Sequence, residues 1–124
     1  MKLSPIMLSA LVLAVSAPSG AHAARIMASA PAVASIPGPH TLYCDITNIG
    51  DEPASVTIEI MNFAGGVVAG PDVITLNPNT GDFFGSAHIL AAWCRFTVDG
   101  STRDLRAMAI YDNGTHYTMS LPAY

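Results

Sequence analysis

From His40 onward, apolar side chains recur at every second position, and that period constrains what the chain can fold into. Leu42, Cys44 and Ile46 fall on one side of an extended backbone, with Tyr43, Asp45 and Thr47 on the other. Val56, Ile58 and Ile60 repeat the scheme against Thr57, Glu59 and Met61, and Cys94, Phe96 and Val98 repeat it against Arg95, Thr97 and Asp99. A period of two places one face on a core and the other in water, the pattern of half-buried antiparallel strands. Tyr117, Met119 and Leu121 read as a last strand of the same kind. The stretches 73–76, 83–89 and 105–111 are apolar enough for strands, with ambiguous facing. No long segment carries the 3.6-residue period of a helix; Leu90-Ala91-Ala92 reads at most as a brief helical turn.

Turn chemistry separates these runs. Residues 48–53, 64–66 and 77–81 are rich in Gly, Pro, Asn and Asp, each of which accepts turn geometry for its own reason. Asp99-Gly100 and Asn113-Gly114 are two-residue hairpin signals. About seven strands in about 85 residues, with a turn every 8–12, predict an all-β antiparallel sandwich of the immunoglobulin-like or fibronectin-III-like kind over residues 40–124. Ahead of it, residues 24–39 are rich in Ala, Ser and Pro, and Pro31 and Pro37 exclude a regular helix or a central strand. This lead-in is extended, or it forms an edge strand.

The first 23 residues read as an address. Lys2 supplies a positive start, residues 6–15 are nearly unbroken apolar sequence, and Ala21-His22-Ala23 offers the small residues that signal peptidase needs. This layout predicts a secretory signal peptide cleaved after Ala23. An apolar run of about ten residues is too short to span a bilayer, which takes about 20, so no stable membrane anchor is expected after its removal. The expected location is exported, either periplasmic or secreted.

Charge narrows the partners. The 124 residues carry five Lys+Arg against nine Asp+Glu, a net charge of −4. Removing the signal takes away Lys2, the one lysine, and leaves four arginines against nine acids. That balance gives no electrostatic footprint for nucleic acid. Hydrophobic residues make up 51% and charged residues 11%, the reverse of a disordered chain.

Cys44 and Cys94 lie on inferred inward faces of an early and a late strand. In an exported chain with two cysteines, that placement predicts one structural disulfide. There is no Cys-x-x-Cys spacing to make a reactive thiol pair. Trp93 precedes Cys94 and therefore points to the opposite face. There it serves as a contact residue, or it is tucked beneath the 82–92 loop.

The run Leu42-x-Cys44-x-Ile46-x-Asn48, Val56-x-Ile58-x-Ile60, Gly66-Val67-Val68, Leu76-x-Pro78 and Trp93-Cys94-Arg95-Phe96-x-Val98 resembles small exported bacterial proteins with immunoglobulin-like sandwiches. The resemblance covers roughly residues 40–112 and rests on fold-bearing positions. It implies a sandwich and assigns no activity. The chain departs from antibody-type domains, since Trp93 adjoins the late cysteine and position 92 is Ala where those domains place Tyr.

No catalytic constellation is legible. His40, His88 and His116 are isolated, without His-x-x-x-His or His-Glu-x-x-His spacing. Asp51-Glu52, Asp99, Asp104 and Asp112 sit in or beside turns. Gly65-Gly66 and Gly70-Pro71 lack the helix and lysine of a phosphate loop. Asn113-Gly114-Thr115 matches a glycosylation sequon, and the hairpin turn is its simpler role. The expectation is a non-catalytic exported binding or surface-interaction module without a cofactor, engaging an unidentified protein or cell-envelope partner. Two alternatives stay open. Met27, Met61, Met108 and Met119 with the histidines allow a periplasmic copper-binding protein. Ile26, Ala28, Ala30, Ala32, Ala34 and Ile36 alternate in one phase, as a strand exchanged between assembly subunits would.

Overall fold

The computed structural model describes residues 23–33, 40–87, 91–114 and 117–124, with backbone alone at 32–33 and 117–121. The expected signal segment, His88, Leu90 and His116 lie outside the described residues, Ala23 excepted. Nine strands occur among the described residues: β1 (Arg25–Ala28), β2 (Ala32–Val33), β3 (Thr41–Asn48), β4 (Ala54–Met61), β5 (Val67–Leu76), β6 (Thr80–Ala87), β7 (Ala91–Asp99), β8 (Leu105–Asp112) and β9 (Tyr117–Ala123). No helix accompanies them. One antiparallel sheet runs β1-β7-β4-β5, with β2 also paired to β7, and the second runs β6-β3-β8-β9.

The two sheets form a sandwich-like pair around one core, and the period-two runs show why. Leu42, Cys44 and Ile46 of β3 face Val56, Ile58 and Ile60 of β4 and Cys94, Phe96 and Val98 of β7, and all are fully buried. Each large side chain so buried contributes about 1.5–3 kcal/mol. The Cys44–Cys94 disulfide crosses this core between the central strands β3 and β7, with Cα atoms 5.6 Å apart. Asn48, at the inward end of β3, is buried with its amide satisfied. Its Nδ2 donates to the carbonyls of Glu52 (2.8 Å) and Leu76 (3.2 Å), and its Oδ1 accepts from the Gly50 N–H (2.9 Å). The residue read as turn chemistry thus also ties the second sheet to β5 of the first.

Several expectations change. The lead-in contains β1 and β2, so the edge-strand reading holds at Arg25–Ala28 and Ala32–Val33, and the strand count exceeds seven. The phase there is the reverse of the alternation Ile26, Ala28, Ala30: Met27 and Ser29 are buried, whereas Ile26 is 62% exposed. Burying one large flexible thioether outweighs burying a row of alanine methyls. The segment pairs with β7 of its own chain. Ala91 and Ala92 begin strand β7 and form no helical turn, because pairing with β2 claims their backbone.

Asp99-Gly100 is not a hairpin: β7 and β8 belong to different sheets, and residues 100–104 carry the chain between them. Gly100 still takes a positive φ of 113°. Asn113-Gly114 does lie in a hairpin, between β8 and β9, with Asp112 opposite Tyr117. Met61, assigned to the water-facing side of β4, is only 1% exposed. Register places it between Val67 of β5 and Trp93 of β7 on that outer face.

Candidate functional site

The residues singled out for chemistry are dispersed by the fold. Both cysteines are consumed by the disulfide. Met27 is in the core, Met61 is beneath the outer face of the first sheet, and Met108 is on the outer face of the second. His40 is buried against the Tyr111 ring, with centroids 5.8 Å apart. Burial also raises the Tyr111 hydroxyl above its ordinary pKa. Among the described residues, no group of three or more His, Cys, Asp or Glu is placed to hold a metal ion. The side chains of His88, His116 and Met119 lie outside that description.

The acids beside turns have local roles or face solvent. Asp112 Oδ1 accepts the Gly114 N–H at 2.7 Å within the β8–β9 hairpin. Asp51 and Glu52 are exposed. Glu59 forms a salt bridge: it sits directly opposite Arg95 on the outer face of the first sheet, with Nε to Oε2 at 2.8 Å. Such a cross-strand pair contributes about 0.2–1 kcal/mol.

Trp93 is half-buried, and its Nε1 donates to the carbonyl of Asn62 at 3.2 Å. Asn62 in turn shapes the β4–β5 turn, since its Oδ1 accepts the Gly66 N–H at 2.8 Å. The indole is therefore pinned over the β4–β5 turn, beside Met61. Of the expected 82–92 loop, residues 82–87 belong to β6 of the other sheet and residues 88–90 lie outside the described residues.

Apolar side chains gather on the outer face of the second sheet. Register sets two rows across it. One runs Phe83, Asp45, Met108, Pro122, and the next runs Gly85, Tyr43, Ile110, Ser120. Phe83 is 61% exposed and Met108 37%. The Tyr43 and Phe83 rings meet edge to face at 5.7 Å, a favourable geometry worth about 0.5–1.5 kcal/mol. Tyr43 lies across the backbone of Gly85, so close that a Cβ there would stand 2.6 Å from its Cδ1. Glycine is required at position 85 because the ring occupies the place of a side chain. Asp45 sits among these groups. Partial burial, and then the neighbouring negative charge of Asp82, raises its carboxyl above the usual aspartate range.

A second concavity, a half-open groove of about 490 Å³, lies where β1, β8 and β9 meet. Met27, Leu105, Ala107 and Ala123 line it, with Arg106 and Tyr124 at its rim. Arg106 Nη1 already donates to the carbonyls of Arg103 (3.0 Å) and Leu105 (2.7 Å). Among the described residues, neither surface assembles a nucleophile, a base and an orienting group.

Compared with family models, curated proteins and solved structures, the chain gives no match. The Tyr43–Phe83–Gly85 cluster was not legible as a surface feature. The facing of 83–89 depends on pairing with β3, and sequence distance hides that partner. The one local trace of it is the spacing Gly81-x-Phe83-x-Gly85, a large ring flanked by bare backbone.

Proposed function

We propose that the protein is an exported, non-catalytic module of the immunoglobulin-like sandwich kind that works by surface contact with a cell-envelope component. The observation that carries this reading is the outer face of the β6-β3-β8-β9 sheet. It exposes Phe83, Met108 and Pro122 around a half-buried Asp45. Exposed apolar groups gathered on one face favour association over solvation. The disulfide agrees with an oxidising compartment, and residues 1–23 have the layout of an export signal. The anionic balance directs the module away from nucleic acid and anionic lipid.

Binding to isolated envelopes of the producing cell tests the reading. The labelled domain is expected to bind saturably, and Met108→Lys, remote from the core, is expected to weaken binding at least about tenfold. Absence of saturable binding, or full binding by Met108→Lys, removes this face as the contact surface.

A further inference from the structure

The sandwich has four sheet edges, and three of them are closed by identifiable devices. β1 and β9 meet at one end and tie each other there: Ser29 bridges Ala123, the Ala28 N–H donates to the Tyr124 carbonyl (3.0 Å), and the Tyr124 N–H donates back to Ala28 (3.4 Å). β5 is interrupted by register shifts opposite Ile58–Met61, and Pro71 has no N–H to offer. Gly70 there has φ 96°, and a Cβ would stand 2.8 Å from the Ile58 carbonyl oxygen, so the kink is built into the strand. β6 has none of these. It pairs with β3 in unbroken register over all eight residues, contains no proline, and ends its sheet among the described residues.

The hydrogen-bonding phase of that open edge can be read from one contact. The Phe83 N–H donates to the Oδ1 of Asp82 beside it, at 2.8 Å, and is therefore not turned toward β3. Antiparallel alternation then gives Gly81, Phe83, Gly85 and Ala87 the outward-directed N–H and C=O groups. An exposed strand with such a row is a template for another strand.

We propose that β6 pairs antiparallel with β6 of a second copy of this chain, about a two-fold axis at Phe84. Only registers that match outward-phase residues form the ladder. Two of these use seven of the eight residues: centring on Phe83 would set each Asp82 against Phe84, whereas centring on Phe84 sets Phe83 opposite Gly85 of the second copy. There the incoming ring meets the Tyr43 ring that covers that glycine, aromatic against aromatic.

Charge selects the same register. Centring on Asp82 would set two carboxylates against each other, whereas centring on Phe84 sets each Asp82 opposite the hydroxyl of Ser86. Two Phe83 rings, two Tyr43 rings and the paired strands bury on the order of 1,000 Å², at the low end for specific association. The dimer is therefore reversible and concentration-dependent, joining two four-stranded sheets into one. This inference needs no envelope partner and stands whether or not that contact exists.

Sedimentation equilibrium of the chain as exported by its producing cell tests the pairing. Dimer is expected to grow with concentration up to about 1 mM. Ser86→Lys, which meets Asp82 of the second copy twice across the axis, is expected to tighten it about tenfold, and Ser86→Asp to loosen it as much. Asp82→Ala, at an exposed position, is expected to tighten it by freeing the Phe83 N–H and removing the charge. A strictly monomeric chain over this range overturns the proposal. So do equal effects of the two Ser86 variants, no tightening by Asp82→Ala, or a dimer dissolved by Val68→Lys on β5 instead.

Discussion

Ser29 satisfies both backbone groups of Cys94. Its Oγ accepts the Cys94 N–H at 2.9 Å, and its own N–H donates to the Cys94 carbonyl at 3.0 Å. The cysteine is fully buried and Ser29 nearly so, so neither group has water as an alternative. The N-terminal segment thus completes the strand that carries half of the disulfide.

Ser29→Ala is expected to lower stability by about 1–3 kcal/mol, because a buried N–H loses its acceptor. Ser29→Thr, which keeps the hydroxyl, is expected to lose less. Urea unfolding of the two variants measures the difference. Equal stability of Ser29→Ala and the parent would show that the hydroxyl contributes nothing to β7.

The disulfide closes a separation of 50 residues between central strands of opposite sheets. Constraining an unfolded loop of that length contributes about 4 kcal/mol in the chain-entropy account. That is a large part of the about 5–15 kcal/mol that holds a domain together. Cys44→Ala/Cys94→Ala is expected to shift the urea midpoint down accordingly. A loss below about 1 kcal/mol contradicts the estimate.

Asp45 carries the pH dependence. Burial and the charge of Asp82 raise its folded pKa above the unfolded value. Folding therefore favours its protonated form, and the charged form costs stability. Asp45's contribution is most favourable below the unfolded pKa and is lost as pH rises through the folded one. Asp45→Asn is expected to stabilise the protein at neutral pH and to leave it unchanged near pH 3. Because the group is only partly buried and solvent screens it, the gain is at most about 1 kcal/mol. Urea midpoints of parent and variant across that range report it, and a gain at acid pH only would reverse the argument.

Much of the fold is legible in the residues because period two is a local property. The inward faces of β3, β4 and β7 follow from Leu42, Val56 and Cys94 alone, since alternate side chains must point to opposite sides. Where the rule fails, a neighbour distant in sequence decides. Met61 is covered because Trp93 and Val67 flank it in register. Gly100 has the positive φ of a turn, yet its chain crosses between sheets because β7 and β8 have other partners.

The alternation beginning at His40 by itself determined that this protein is all β, with its two cysteines facing one core. Tertiary structure alone decided which strands are neighbours. It therefore also decided that Met27 and not Ile26 enters the core, that Tyr43 covers Gly85, and that β6 is left as the open edge. Side-chain direction along a strand is set by its own backbone geometry, whereas pairing, edges and surface clusters are set by long-range contacts between strands.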